Sequence, residues 1–291
     1  MASTPASEVP GQSSPSGKPA ALKPNSRHGS LKHAFTPNKI LSPSAVQIIV
    51  VMEIVAFLVL WSLSPFKILP RPGEVLTALQ GLWTKQGLGP AIISSFMFNV
   101  QALLISAGLS LGIAYLGVMP VFRPIVAAVS KGRFLSLVGF SLLFMIVLPG
   151  GAPTVKLALL VFGMTVFFLT SMASVIAEIP MSDFDYARTL HMSEWRVVWE
   201  VVILGTADRA LEVMRQNAAM GWMMLTMVEG IVRSGGGVGV LLLNNQKYMR
   251  LSEIFAIQLT VLIVGLCQDA AIGLIRRLFC PYAYLTTERA K

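Results

Sequence analysis

Charge is scarce in this chain. Only 13% of its 291 residues are Asp, Glu, Lys or Arg, against roughly 25% in an ordinary soluble domain. Histidine is scarcer still, with His28, His33 and His191 the only three, and no two of them fall at metal-ligand spacing within a helix. The two cysteines, Cys267 and Cys280, lie in and just after the last apolar run. Their spacing fits no metal box and no expected disulfide, so both read as packing residues. No Gly-x-x-x-x-Gly-Lys-Ser/Thr loop occurs, and Gly235-Gly236-Gly237 has no Lys-Ser/Thr after it, so ATP binding by this chain is not expected. No nucleophile–base pair and no internal repeat is visible. The expectation is a protein without catalytic residues, metal or cofactor.

What is abundant is apolar length. The hydrophobic share is 54% and the mean hydropathy +0.69, which predicts an all-α integral membrane protein. The net charge of +9 then reads as anchoring at a membrane face rather than nucleic-acid binding.

Residues 1–45 are rich in Pro, Ser and Ala and carry Lys18, Lys23, Arg27, Lys32 and Lys39 against the single acid Glu8. Such a composition predicts a disordered basic tail. No small-residue cleavage site follows the first apolar run, so it does not read as a signal peptide. Spans are expected at 46–63, 91–119, 134–148, 154–178, 210–232 and 251–275, each judged against about 20 residues for a crossing. A Pro-rich stretch from Ser64 leads into a short amphipathic helix. Gly108, Gly112 and Gly117 are spaced for close helix approach. Residues 233–250 form a Gly-rich connection with an apolar centre, for which re-entry into the membrane stays open. The division is thus 1–45 tail, 46–90 first span and connection, 91–278 core, and 279–291 tail. Six spans place both termini on one side. That side, with 120–133 and with 182–209 extended into the start of the fifth span, holds 16 of the 23 Lys and Arg residues, which predicts a cytoplasmic location for all four segments.

The core is interrupted once, at the polar stretch 182–209. Phe184, Ala187 and Leu190, then Trp195, Val198, Trp199 and Val202, recur at three- and four-residue steps, so two short helices are expected there. Between them lie His191, Met192 and Ser193, with Ser193 a natural N-cap. Asp185 is expected to cap or orient the first helix. The plain alternative is an ordinary amphipathic loop between two spans.

Asp185-Tyr186-Ala187-Arg188-Thr189-Leu190, followed by Trp195-Arg196 and Val201-Val202, resembles the Glu-Ala-Ala loop of ABC importer permeases, above all the nitrate/sulfonate/taurine branch. Leu69-Pro70-Arg71-Pro72-Gly73-Glu74-Val75 also resembles that family just after its first span. The match departs at Asp185-Tyr186 for Glu-Ala, at His191 for the usual Gly, and at Ile203-Leu204 for Leu-Pro. A turn at His191 calls for a left-handed backbone that Gly adopts freely and His less comfortably.

The resemblance implies the type I ABC importer permease fold of six transmembrane helices in the inner membrane. It implies a cytoplasmic ATPase dimer docked on a coupling helix built from Asp185, Ala187, Arg188, Leu190, His191, Met192 and Ser193. A second permease subunit, in a homodimer, and an extracytoplasmic solute-binding protein complete the implied assembly. The implied cargo is a small anion such as a sulfonate or nitrate. The rival reading is a secondary transporter or channel that works without ATPase.

Polar groups inside apolar spans are costly and become candidates for function. The fifth span holds Arg215, Gln216, Asn217, Gly221, Trp222 and Glu229. The resemblance implies that it lines the translocation pathway, while interface positions for Arg215 and Glu229 remain equally open. Trp222, Met223, Met224 and Met227 read more simply as packing. Asn99, Gln101, Gln258 and Asp269 are weaker candidates; Asp269 is expected to pair locally with Arg276 or Arg277, and Glu53 within the bundle.

Overall fold

The computed structural model describes residues 43–63 and 68–281. Most of the expected N- and C-terminal tails lies outside the described residues. Residues 43–45, assigned above to the tail, already belong to the first helix. The chain divides into two units, Met1–Leu63 and Ser64–Lys291. In the first, α1 (Pro43–Ser62) is a uniformly apolar helix that opens on a proline, whose fixed φ suits a first turn. Glu53 is exposed on it, and no ion pair involving it occurs among the described residues, contrary to the pairing expected above.

The second unit is helical throughout its described residues. Helix α2 (Pro72–Lys85) starts with a proline and a back-bonded acid, the Arg71 amide donating to Glu74 at 3.2 Å. It buries Val75 and Leu82 and packs on α3 (Leu88–Leu116) and α11 (Leu251–Phe279). The core lies among α3, α6 (Gly151–Ala177), α9 (Ala207–Ile231) and α11. Ala102 and Leu103 meet Leu160, Met164, Ala218, Trp222, Leu225 and Ile272 there.

Helix α3 approaches α6 through Ser106, Ser110 and Ala114, buried small residues four apart that let backbones close in. The Ser110 hydroxyl donates across to the Thr165 carbonyl at 3.0 Å. Gly108 and Gly112, expected to serve this purpose, face open space instead, because they fall on the opposite side of the helix. Gly117 alone of the three meets a neighbour, the Val126 side chain.

The expected third span is not one straight crossing helix. After α4 (Arg123–Lys131) and a 3₁₀ turn (Gly132–Phe134), Leu135 and Ser136 are extended and the chain turns by 111° into α5 (Leu137–Val147). The 11 residues of α5 rise about 16 Å, half of a hydrocarbon core of roughly 30 Å. Helix α9 is long enough at 25 residues but opens with Asp208, Arg209, Glu212 and Arg215. Among the described residues, four helices are therefore long and apolar enough to cross a membrane (α1, α3, α6 and α11), or five if α4–α5 is one bent span. The chain is a helical membrane protein.

Between α6 and α9 stand α7 (Met181–Thr189), α8 (Glu194–Val197) and a π-helical segment, Val198–Leu204. The 233–250 connection contains α10 (Val238–Lys247), packed on α9, α11 and α3.

Candidate functional site

The polar stretch folds as a helical hairpin. Pro180 takes the extended N-cap backbone of α7, and Asp183 sits in the first turn, where a carboxylate complements the helix dipole. Asp185 does not cap the helix as expected. It lies in mid-helix and pairs with Arg188 at 3.5 Å, one turn on.

The end of α7 explains the turn. The Met192 amide donates to the Ala187 carbonyl and the His191 amide to that of Arg188, the paired 6→1 and 5→2 bonds of a Schellman motif. Its C′ residue must be left-handed, and His191 has φ 55°. Histidine thus occupies a position whose geometry favours glycine, and it is the position at which the resembling loops carry Gly. His191→Gly should raise the unfolding free energy by about 0.5–1 kcal/mol, readable as a higher melting temperature. A lower one would show that the imidazole makes compensating contacts.

Ser193 takes the extended N-cap backbone of α8, but its hydroxyl makes no cap bond. Arg188 instead joins the two helices, reaching Glu194 at 3.3 Å. Arg209 pairs with Glu178 at 3.2 Å across the base of the hairpin. These pairs are exposed and weak individually. Ala187 is buried, Met192 is half-buried, and Leu190 is 53% exposed. Tyr186 (69%) and Trp195 (71%) are more exposed still. The hairpin thus presents an exposed apolar tip beside charged side chains. Tyr186 stands outside the periodic set of apolar residues, and periodicity puts Trp195 on the second helix without revealing that it points outward.

The fifth-span candidates separate into three places. Near the start of α9, Arg215 pairs with Asp269 at 2.8 Å and with Glu212 at 3.4 Å. Arg276 pairs with that same Glu212 at 2.6 Å and with Asp208 at 3.8 Å. Asp269 therefore pairs with α9 rather than with Arg276, because about two turns separate it from the arginines on its own helix. Gln216 is exposed and lines a groove of about 460 Å³ with Thr170, Ser171, Ser174 and Arg209.

Mid-helix, Gly221 lies against Asn99 and Met164. The Trp222 indole donates to Gln268 Oε1 at 2.8 Å, and Asn99 donates to the same oxygen at 3.2 Å. Asn217, also buried, donates to the Val213 carbonyl. Met224 joins the core with Trp222, whereas Met223 and Met227 are exposed. A methyl at Gly221 would run into the Asn99 amide oxygen and lie 3.0 Å from Met164 Cε. Gly221→Ala should cost about 1–3 kcal/mol of stability by overpacking; an unchanged melting temperature would count against this tight crossing of α3 and α9.

Glu229 is at the far end of α9, 1% exposed. It accepts from the Ser95 hydroxyl at 2.6 Å and from the Gly239 amide at 2.8 Å, and Ser95 in turn accepts from the Val238 amide at 3.0 Å. The carboxylate thus satisfies the orphan Gly239 amide, and Ser95 that of Val238, at the opening of α10. Gly235, Gly236 and Gly237 all have positive φ, and a Cβ on Gly237 would overlap the Glu229 carboxylate. Buried Lys156 of α6 donates to the Gly236 carbonyl at 2.7 Å. The glycine run is therefore a pinned turn. Neither Lys156 nor Ser95 is among the candidates drawn from the sequence.

Neither a protein-family model nor a curated protein matches the chain.

Proposed function

We propose that this chain is the membrane-spanning permease subunit of an ATP-driven ABC importer of the type I fold. The observation that carries the reading is the α7–α8 hairpin. It is a charged, apolar-tipped element between two long helices, closed by a left-handed turn at His191 where the resembling loops have Gly. In this reading the six crossings are α1, α3, the bent α4–α5 pair, α6, α9 and α11. Two copies form a homodimer in the inner membrane with both termini and the hairpin in the cytoplasm. A cytoplasmic ATPase dimer docks on Asp185, Ala187, Arg188, Leu190, His191, Met192 and Ser193, and a solute-binding protein delivers a small anion such as a sulfonate or nitrate from outside. ATP closes the ATPase dimer, the hairpins move with it, and α9 carries the motion into the pathway near Gln216.

The buried charges Lys156 and Glu229 would serve an ATP-independent carrier only if they were available to cargo. Both are bonded to the turn that opens α10, which favours the ATP-driven reading. The test is reconstitution with the ABC ATPase subunits of the source organism, together with labelling by a membrane-impermeant thiol reagent. The expected results are a stable complex and protection of Glu194→Cys from reagent outside the cell. Labelling of that cysteine from outside would sink the assignment.

A further inference from the structure

The junction between the hairpin and α9 is built in an unusual way. Seven residues, Val198–Leu204, are wound as a π-helix, a form normally limited to single turns and frequent at functional sites. Its exit is specific. The Gly205 amide donates to the Glu200 carbonyl, five residues back, whereas the Thr206 amide donates to Val202, four residues back. The Val201 carbonyl falls between them and takes neither amide. It points to where a Cβ on residue 205 would sit, so the wide turn needs glycine there although its φ of −65° is ordinary.

The surroundings are uneven. Val197, Val202 and Thr206 are buried, and the Thr206 hydroxyl donates to the Val202 carbonyl at 2.6 Å and lies 3.4 Å from the Tyr115 hydroxyl. Trp199, Leu204 and Gly205 are exposed. The start of α9 is therefore fixed on α3, while the segment above it has one open face. Phe184 of the hairpin lines a cleft of about 510 Å³ with Val202, Ile176, Val126 and Arg123. The hairpin has space beside it into which to move.

We propose that Val198–Leu204, closed by Gly205, is a register-slip hinge between the hairpin and α9. A π turn stores one residue more than an α turn. Absorbing that residue turns the part of the chain before it by about 100° and shifts it by about 1.5 Å relative to α9. No bond in the α9 ladder below Thr206 has to break. The slack is at Val201, whose carbonyl is already unclaimed by either amide. The hinge rests on the docking role proposed above for the hairpin, since docking is what would drive it.

The test has two arms. In the first, the full chain alone in lipid nanodiscs is followed by amide hydrogen exchange. Amides of 201–206 should exchange at least roughly tenfold faster than those of 218–228 in the α9 core. Deletion of Val201, which returns the segment to α-helical count without changing the phase of α9, should remove most of that difference. Equal protection of the two regions in the unaltered chain overturns the hinge, whether or not any variant folds. In the second arm, an ABC ATPase subunit of the source organism is assembled with a chain carrying Cys267→Ser, Cys280→Ser and Gln216→Cys. ATP should change the thiol accessibility of residue 216 in the parent and not in the Val201 deletion, with ATPase binding kept by both. An ATP response that survives the deletion overturns the hinge. Failure of the ATPase to bind the parent chain removes the importer reading instead, and the exchange arm still decides the hinge.

Discussion

Glu229→Ala is expected to destabilise the folded chain by on the order of 3–5 kcal/mol, because it removes two hydrogen bonds to a buried charged group and leaves their donors unpaired. The Ser95 hydroxyl and the Gly239 amide both point at this carboxylate, which is 1% exposed. Lys156, buried nearby on the Gly236 carbonyl, would lose an opposite charge as well. Ser95→Ala should cost less, about 1–2 kcal/mol, since the carboxylate keeps its backbone donor. Denaturant or thermal unfolding of the purified protein measures both. A pathway residue behaves differently: its loss abolishes transport and leaves unfolding unchanged. If Glu229→Ala melts like the parent, Glu229 is not the keystone of the α10 turn and the pathway role regains its ground.

That contrast shows what sequence can and cannot carry. An acid inside an apolar helix is visible to anyone counting charges, and its cost in lipid makes it a candidate for function. Its partners are not visible, because Ser95 is 134 residues away and Lys156 approaches only through the Gly236 carbonyl. The same holds for Arg215 and Asp269, 54 residues apart. Long apolar helices, by contrast, are legible from composition alone, and α1, α3, α6 and α11 fall within a few residues of their expected limits. The run 134–148 is equally apolar, but hydropathy carries no information about direction. Two extended residues, Leu135 and Ser136, turn α5 through 111°. The glycines of α3 fail for a related reason: spacing defines a face and not which neighbour that face meets.

At the hairpin the sequence carried more. Two helices, the turn between them and the left-handed demand at His191 all follow from local rules, since capping and C′ geometry act over five or six residues. The π-helical segment does not. Trp195, Val198, Trp199 and Val202 keep a respectable α period, and the extra residue is forced by burial of both Val197 and Val202 against other helices.

Tyr186→Ala and Leu190→Ala are each expected to weaken binding of the ATPase by roughly 30-fold, about 2 kcal/mol, the usual cost of truncating an anchor that becomes buried in an interface. Both side chains are more than half exposed in the free chain, so removing them strips contact area without opening a cavity in the fold. Met192 is a poorer choice of anchor. It is half-buried, its amide closes the Schellman turn on Ala187, and trimming it would disturb the hairpin itself. Asp185→Asn should cost less than about 1 kcal/mol, because the carboxylate is an exposed rim charge already paired with Arg188. Titration of detergent-solubilised variants against the ABC ATPase that binds the parent chain gives the three dissociation constants. Circular dichroism and melting of the same samples should match the parent. A Tyr186→Ala, Leu190→Ala double variant that binds as tightly as the parent would mean that this apolar tip faces something other than an ATPase, and the coupling role would have to leave the hairpin.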